Sequence, residues 1–344
     1  MSLTDHKPET RNHRKSIFLT RFVSKLPILG PAWDRLATNR RIRYWLDEAK
    51  LAMRYGRLFP NAIQLPNSRS NIFVDRSEPR GRSVLLCRAQ GQPNLKRLWH
   101  RAIKLLQPDV VLDVGANYGE FIFAERYPTA ERVIGIEANP ALEPFLKKSW
   151  EVHPDRQKIQ ILNALAAERS DEEHIFYVDS ISSGRSSAVQ RHDSQTVATK
   201  TRSVSIDDLV KDFVRPDKSI VFKIDVEGFE PMVLSGMKRT LGCSSRLLGI
   251  MEFNPRLIRL SGADPEEFLG QLFETMAVFA LPHSQPPRRL AAGTLAEIQS
   301  LEMRDEIELD ILLCSHSLEC SDKRILDQIL QPQSPGKSVD DSPP

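Results

Sequence analysis

Four ionisable side chains, Lys223, Asp225, Glu227 and Glu230, interrupt an otherwise apolar run at Phe222-Lys-Ile-Asp-Val-Glu-Gly-Phe-Glu230. Lys223, Asp225 and Glu227 alternate, so on a strand running into its exit loop they project to one side. Charge inside an apolar strand is costly unless it is paired or put to use. Beside a bound cofactor, such carboxylates deprotonate or orient an attacking hydroxyl. Asp225 with Glu227 also has the donor chemistry of a divalent-cation site. A structural Lys–carboxylate pair is the plain alternative. The reading taken is acid–base work by Lys223, Asp225 and Glu227, with no metal.

A second constellation is Asp113-Val-Gly-Ala-Asn-Tyr-Gly119, between an apolar run and a helix-like segment, Glu120 to Arg126. Glycines there permit tight turns and close backbone approach. The free N–H groups of a following helix would receive an anionic ligand group. The spacing is Gly-x-x-x-Gly, and the dinucleotide fingerprint Gly-x-Gly-x-x-Gly is absent. Glu137 follows 18 residues after Gly119, in Ile-Glu-Ala-Asn-Pro140. An acid at the end of the next strand accepts hydrogen bonds from ribose hydroxyls. That contact suits S-adenosylmethionine and NAD equally. Weaker signals are Glu252-Phe-Asn-Pro255, a substrate contact or a loop cap, and Asp207-Asp208, a helix start. His192 reads as a surface histidine.

These residues need strand ends to hold them. From residue 93 onward, helical segments alternate with β-rich runs. The runs are Val110 to Val114, Arg132 to Ile136, Lys158 to Leu162, Ile220 to Ile224 and Leu247 to Met251. Val278 to Leu281 and Leu309 to Cys314 complete the set. Leu95 to Leu106, Pro140 to Val152 and Glu230 to Leu241 read as helices. The alternation predicts a doubly wound α/β fold with a largely parallel sheet. Residues 168–203 read as a long polar insertion, with the run Ser180-Ile-Ser-Ser-Gly-Arg-Ser-Ser187 inside it. Asn71 to Val74 and Ser83 to Cys87 read as short strands, and residues 35–57 as a helix.

Apolar residues make up 40% of the 344 and charged residues 27%, a soluble globular composition rather than a disordered or membrane one. No stretch reaches the roughly 18 uncharged apolar residues of a membrane span. A cytoplasmic protein is expected. The four scattered cysteines signal neither a disulfide framework nor a zinc site. Residues 11–57 hold twelve Lys or Arg against three acids, so they carry +9 and the rest of the chain −6. This basic extension fits peripheral contact with an anionic membrane or an acidic partner, or simply a solvated leader. Residues 1–15 and 331–344 are polar and read as disordered.

Taken in order, Val-Leu-Asp-Val-Gly-Ala-Asn-Tyr-Gly119, Ile-Glu-Ala-Asn-Pro140, Leu-Asn-Ala-Leu165, Val-Ser-Ile-Asp-Asp-Leu209, Lys-Ile-Asp-Val-Glu-Gly-Phe-Glu230 and Ile-Met-Glu-Phe253 resemble the FkbM-type S-adenosylmethionine-dependent methyltransferases. The resemblance implies a class I, Rossmann-like fold with seven strands, the last antiparallel. It covers a domain over residues 83–317, while the basic, partly helical extension over 1–82 and the tail over 318–344 depart from it and are not explained by it. It implies S-adenosylmethionine as cofactor and O-methylation of a sugar, glycan or polyketide-like acceptor. Asp113, Gly115, Ala116, Asn117 and Gly119 would form the loop at the methionyl end. Glu137 would hold the ribose, and Asn163 and Ala164 would lie near the adenine. Lys223, Asp225 and Glu227 would face the acceptor. No nucleic acid partner is expected. The alternatives are a non-catalytic S-adenosylmethionine-binding scaffold and an NAD-dependent oxidoreductase.

Overall fold

The computed structural model describes residues 40–56, 60–191, 195–282, 285–301 and 309–331. The expectations for residues 1–15, for His192 and for the tail after Gln331 lie outside those residues. The described chain divides into two units between Pro60 and Asn61. Among its described residues the first contains one helix, Arg40–Tyr55, where the spacing of apolar residues predicts it.

The second unit opens with an antiparallel ladder of β1 (Ala62–Gln64) and β2 (Asn71–Phe73). The strand expected at Ser83 to Cys87 is instead the end of a helix, Pro79–Leu86. Its start explains the difference. The Glu78 carboxylate accepts from the backbone N–H groups of Arg80 and Gly81, and Pro79 fixes the first turn. A second helix, Pro93–Leu106, buries Leu95, Leu98, Trp99, Ala102, Ile103 and Leu106 along one stripe.

The main sheet contains β3 (Val110–Val114), β4 (Arg132–Glu137), β5 (Ile159–Asn163), β9 (Ser219–Ile224) and β10 (Arg246–Phe253), all parallel. β11 (Ala277–Leu281), the two-residue β12 (Arg288–Arg289) and β13 (Leu309–Cys314) extend it. The order is β12-β11-β13-β10-β9-β3-β4-β5. β13 runs antiparallel to both of its neighbours. The sheet therefore has eight described strands rather than seven, because β12 pairs on the outer edge of β11. Every residue of β3 and β9 is buried, including the charged Asp113 and Lys223 within their otherwise apolar runs. The chain moves outward from β3 to β5, then returns to β9 on the other side of β3. With right-handed crossovers, that reversal puts the connections on opposite faces and opens a crevice at the strand ends between β3 and β9.

The polar insertion is not an open loop. β7 (Glu173–Asp179) and β8 (Thr196–Val204) form an antiparallel ribbon, and β6 (Leu165–Ala166) pairs in parallel with β8. The expected helix from Glu230 to Leu241 is two pieces, Glu230–Ser235 and Lys238–Cys243, separated at Gly236. A Cβ on Gly236 would collide with the Ala167 carbonyl, so the chain passes there only as glycine.

Gly115 makes the decisive approach. Its φ is +79°, and a Cβ there would collide with the Asp225 carbonyl. The Asp225 N–H in turn donates to the Val114 carbonyl at 3.0 Å. The two loops leaving the switch point are thus in backbone contact. Gly115→Ala should cost about 3 kcal/mol, from left-handed strain plus overpacking. Urea unfolding should show it as a lower midpoint with an unchanged m-value.

Candidate active site

A cavity of about 350 Å³ opens at the carboxyl ends of the parallel strands. That lies within the roughly 300–1,000 Å³ of small-molecule sites. Among the expected residues, Gly115, Asn117, Glu137, Ala164, Asp225 and Glu227 line it. Asp113, Ala116, Gly119, Asn163 and Lys223 do not.

On one side of the cavity the loop after β3 takes three positive φ values, at Gly115, Asn117 and Gly119. This coils the chain tightly enough for the Asn117 N–H to donate to Glu137 Oε2 at 2.7 Å. The Asn139 N–H donates to Glu137 Oε1 at 2.8 Å. Burial pushes the Glu137 carboxyl up to about 7, against the opposing pull of those two N–H donors. It is therefore an acceptor whose remaining lone pairs face a cavity.

The expected helix from Glu120 to Arg126 is a series of turns. Asp113 is the reason. Its Oδ2 accepts from the Ile122 N–H at 3.1 Å, while the Tyr127 hydroxyl donates to the Ile122 carbonyl at 2.6 Å. Both groups are thereby diverted from helical bonds. No helix N-terminus faces the cavity from this loop, so the anion-binding role expected of one does not arise here. Asp113 is a brace beneath the loop. Burial pushes its carboxyl up to about 6, with Lys223 opposing. Asn163 is exposed and donates to the Glu137 carbonyl at 2.8 Å, so it steadies Glu137 from outside the cavity.

The other side of the cavity is acidic. β9 ends at Ile224, so Asp225 and Glu227 stand on its exit loop. Lys223 points beneath them. Its side chain is 4% exposed, its Nζ meets Asp225 Oδ2 at 2.8 Å, and it lies 4.8 Å from the Phe121 ring centroid. Burial raises the Asp225 carboxyl, but the Lys223 ammonium more than offsets this and holds it below its ordinary value. Asp225 is thus ionised, and Lys223 acts through it rather than on a ligand. Glu227 has a φ of +54° and pairs with Arg191 at 3.0 Å.

Glu252, weighed in the sequence only as a substrate contact or a cap, belongs to the cavity lining. It places a carboxylate oxygen within 4.8 Å of those of Asp225 and Glu227. Burial, and then the neighbouring negative charges, push its carboxyl well up. Asp225 and Glu252 are thus pushed in opposite directions, the first below and the second above the ordinary carboxylate range. Asp310 also lines the cavity, because the antiparallel register places it directly across from Glu252. Its signal in the sequence was a single charge within the apolar run Leu309 to Cys314.

The remaining wall comes from Ser182 to Ser186, between β7 and β8, together with Arg80. Arg80 pairs with Glu120. The Ser187 hydroxyl binds the carbonyls of Val226 at 3.2 Å and Glu227 at 2.9 Å. The serine run is thereby tied to the loop that bears the carboxylates. Nothing local in the sequence around Arg80 marks it as a cavity residue.

Residues 113–274 match the family model of the methyltransferase FkbM domain. No curated protein sequence matches the chain significantly. Among solved structures, the FkbM methyltransferase from Methylobacillus flagellatus is similar at 14% identity and a TM-score of 0.36, over 81% of this chain and 60% of that one. This chain thus spans less than two thirds of that protein. The O-methyltransferase from Bacillus cereus, solved with S-adenosylhomocysteine, is similar at 10% identity and a TM-score of 0.36, over 65% and 82% of the two chains. The O-methyltransferase TomG from Streptomyces achromogenes, involved in tomaymycin synthesis and solved with S-adenosylmethionine, is similar at 11% identity and a TM-score of 0.37, over 71% and 92%. The stretch that matches the methyltransferase FkbM domain model contains the glycine loop, Glu137 and the charged strand end alike.

Proposed function

We propose that the cavity binds S-adenosylmethionine and that the chain methylates a hydroxyl of a sugar, glycan or polyketide-like acceptor. One observation carries this reading. A buried ribose-type acid, Glu137, and an ionised carboxylate, Asp225, face one cavity from strands on either side of β3. The group fits the residues present. Glu137 retains acceptor capacity toward the cavity, the Gly115 to Gly119 loop brings backbone close, and the acidic wall favours a cationic ligand.

Bound there, S-adenosylmethionine supplies an activated methyl group. The protein's own work is placement and proton handling. Glu137 holds the ribose hydroxyls. Asp225, kept ionised by Lys223, accepts the hydrogen bond of the attacking hydroxyl and takes its proton as the new bond forms. Lys223 is a positioning residue in this scheme.

A second reading concerns the helix Arg40–Tyr55, which carries net +3 in its sequence. No described helix is long and apolar enough to cross a membrane. Trp45 and Met53 are nevertheless 72% and 79% exposed, and with exposed Ala49 they form an i, i+4, i+8 stripe. A basic helix with an outward apolar stripe suits the surface of an anionic bilayer. The full-length protein is expected to sediment with phosphatidylglycerol-containing vesicles and not with phosphatidylcholine alone. Trp45→Glu should abolish this, and equal binding by that variant would refute it.

The cofactor reading has its own measurement. Ribose hydroxyls donate, so they favour the Glu137 carboxylate over the acid. S-adenosylhomocysteine affinity should therefore tighten as pH rises through about 7, and Glu137→Gln should lie about tenfold weaker and flat with pH. In the ligand-free protein the sign reverses. A raised carboxyl stabilises the fold below its unfolded pKa and loses that contribution as pH rises through about 7. Glu137→Gln should accordingly gain on wild type in urea midpoints between about pH 5 and pH 8.

The reaction itself is tested with methyl-labelled S-adenosylmethionine, a native cell extract and mass spectrometry of the labelled product. Asp225→Asn should lower turnover about 10²- to 10⁴-fold, the usual range for loss of a general base. Lys223→Met should lower it through the raised pKa of Asp225, shifting the pH profile to higher pH. Full turnover in both Asp225→Asn and Glu227→Gln would remove acid–base catalysis at this wall.

A further inference from the structure

Glu78 lies outside the family match, yet it gathers more hydrogen bonds than any residue the reaction scheme uses. Its Oε1 accepts from the Tyr118 hydroxyl at 2.7 Å, the Ser183 hydroxyl at 2.9 Å and the Gly81 N–H at 3.0 Å. Its Oε2 accepts from the Arg80 N–H at 3.0 Å and the Ser183 N–H at 3.3 Å. One carboxylate thus joins three distant stretches of chain: the start of the helix Pro79–Leu86, the loop after β3, and the serine run between β7 and β8.

The join continues into the cavity. The Ser183 hydroxyl, while donating to Glu78, accepts from Asn117 Nδ2 at 3.3 Å. Asn117 is the residue whose backbone N–H holds Glu137. Asn117, Ser183 and Glu137 all line the cavity. The rest of the run is anchored independently. Asp179 accepts from the N–H groups of Ile181 at 2.7 Å and Ser182 at 3.0 Å, and the Ser187 hydroxyl binds the Val226 and Glu227 carbonyls. Ser182 to Ser186 is therefore a strap across the cavity, tied at its far end to the carboxylate loop and at its near end to Glu78.

We infer that Glu78 is a positioning residue for the cofactor: through Ser183 it fixes the strap and the Asn117 side of the glycine loop in the geometry that grips the ligand. Five donors converge on it, so its four or so lone-pair sites are all engaged and Oε1 shares its two among three donors, a load that a carboxylate carries better than any other side chain. The Tyr118 phenol, whose pKa burial and then the Glu78 charge push far up, remains a donor to it at every physiological pH. The bonds to Glu78 and Asn117 both run through the Ser183 hydroxyl, so losing either end frees the same element.

This inference rests on the proposed cofactor site, and the two fail differently. Isothermal titration with S-adenosylhomocysteine is run on the full-length wild type, Glu78→Gln, Ser183→Ala, the double variant and Ser183→Thr. Each of the first two substitutions should weaken binding about tenfold, the loss expected for one charge-assisted hydrogen bond. The double variant should be no weaker than either single one, because both break the same link. Ser183→Thr, which keeps the hydroxyl, should restore affinity. Unchanged affinity in Ser183→Ala, or additive losses in the double variant, overturns the role of Glu78 while leaving the cofactor site standing. Absence of binding by the wild type overturns the cofactor site and this inference with it. Should Glu78→Gln fail to fold, the Ser183→Ala and Ser183→Thr pair decides alone.

Discussion

A buried ammonium group underlies the geometry of the whole site. Lys223 is aligned with Asp113 across β3 and β9, and both side chains are shut away from solvent. An isolated charge at that depth costs several kcal/mol, and only close compensation makes it tolerable. Lys223 finds that compensation upward, in Asp225, and sideways, in the charge of Asp113. The loop after β9 is held down by this pair, and the loop after β3 is held to the same point by the contact between Gly115 and the Asp225 carbonyl. Ligand cradle and carboxylate wall therefore share one foundation. The register of two strands sets the distance between them.

The cavity above that foundation is electrically lopsided. Asp225, Glu227, Glu252 and Asp310 crowd one side, with Lys223 as the cation beneath. Arg80 and Arg185 stand on the opposite wall, each facing a carboxylate that does not line the cavity, Glu120 and Asp179. Burial pushes the carboxyls of both Asp225 and Glu252 up, and neighbouring charge then parts them. Asp225 has the lysine of its own strand below it, whereas Glu252 meets the negative charges of Asp225 and Glu227.

Much of this was legible in the sequence, because periodicity and sharp breaks in hydropathy report local structure well. The runs that became β3, β4, β5, β9, β10, β11 and β13 stand out as apolar stretches, and Glu137 and Asp225 as acids at their ends. What stayed hidden depends on distant partners. The turns at residues 120–126 look helical until Asp113 takes the Ile122 N–H. Ser83 to Cys87 looks like a strand until Glu78 caps the helix before it. Lys223 alternates with Asp225 and Glu227, yet it stops short of the cavity because the strand ends between them. The serine run stood out as a polar insertion, whereas Arg80 enters the site only through folding, and no spacing in the chain announces it.

The ribbon of β7 and β8 supplies one wall of the cavity without contributing a strand to the main sheet. Its seven paired positions form a ladder of their own. Adding two residues to each strand would leave every side chain on its present face and carry the serine run outward by about 7 Å. Nothing in the register of β3, β4 or β9 would need to change. The ties of Ser183 to Glu78 and Asn117, and of Ser187 to the Val226 and Glu227 carbonyls, would break on that move, so they fix the ribbon's length against the strand ends.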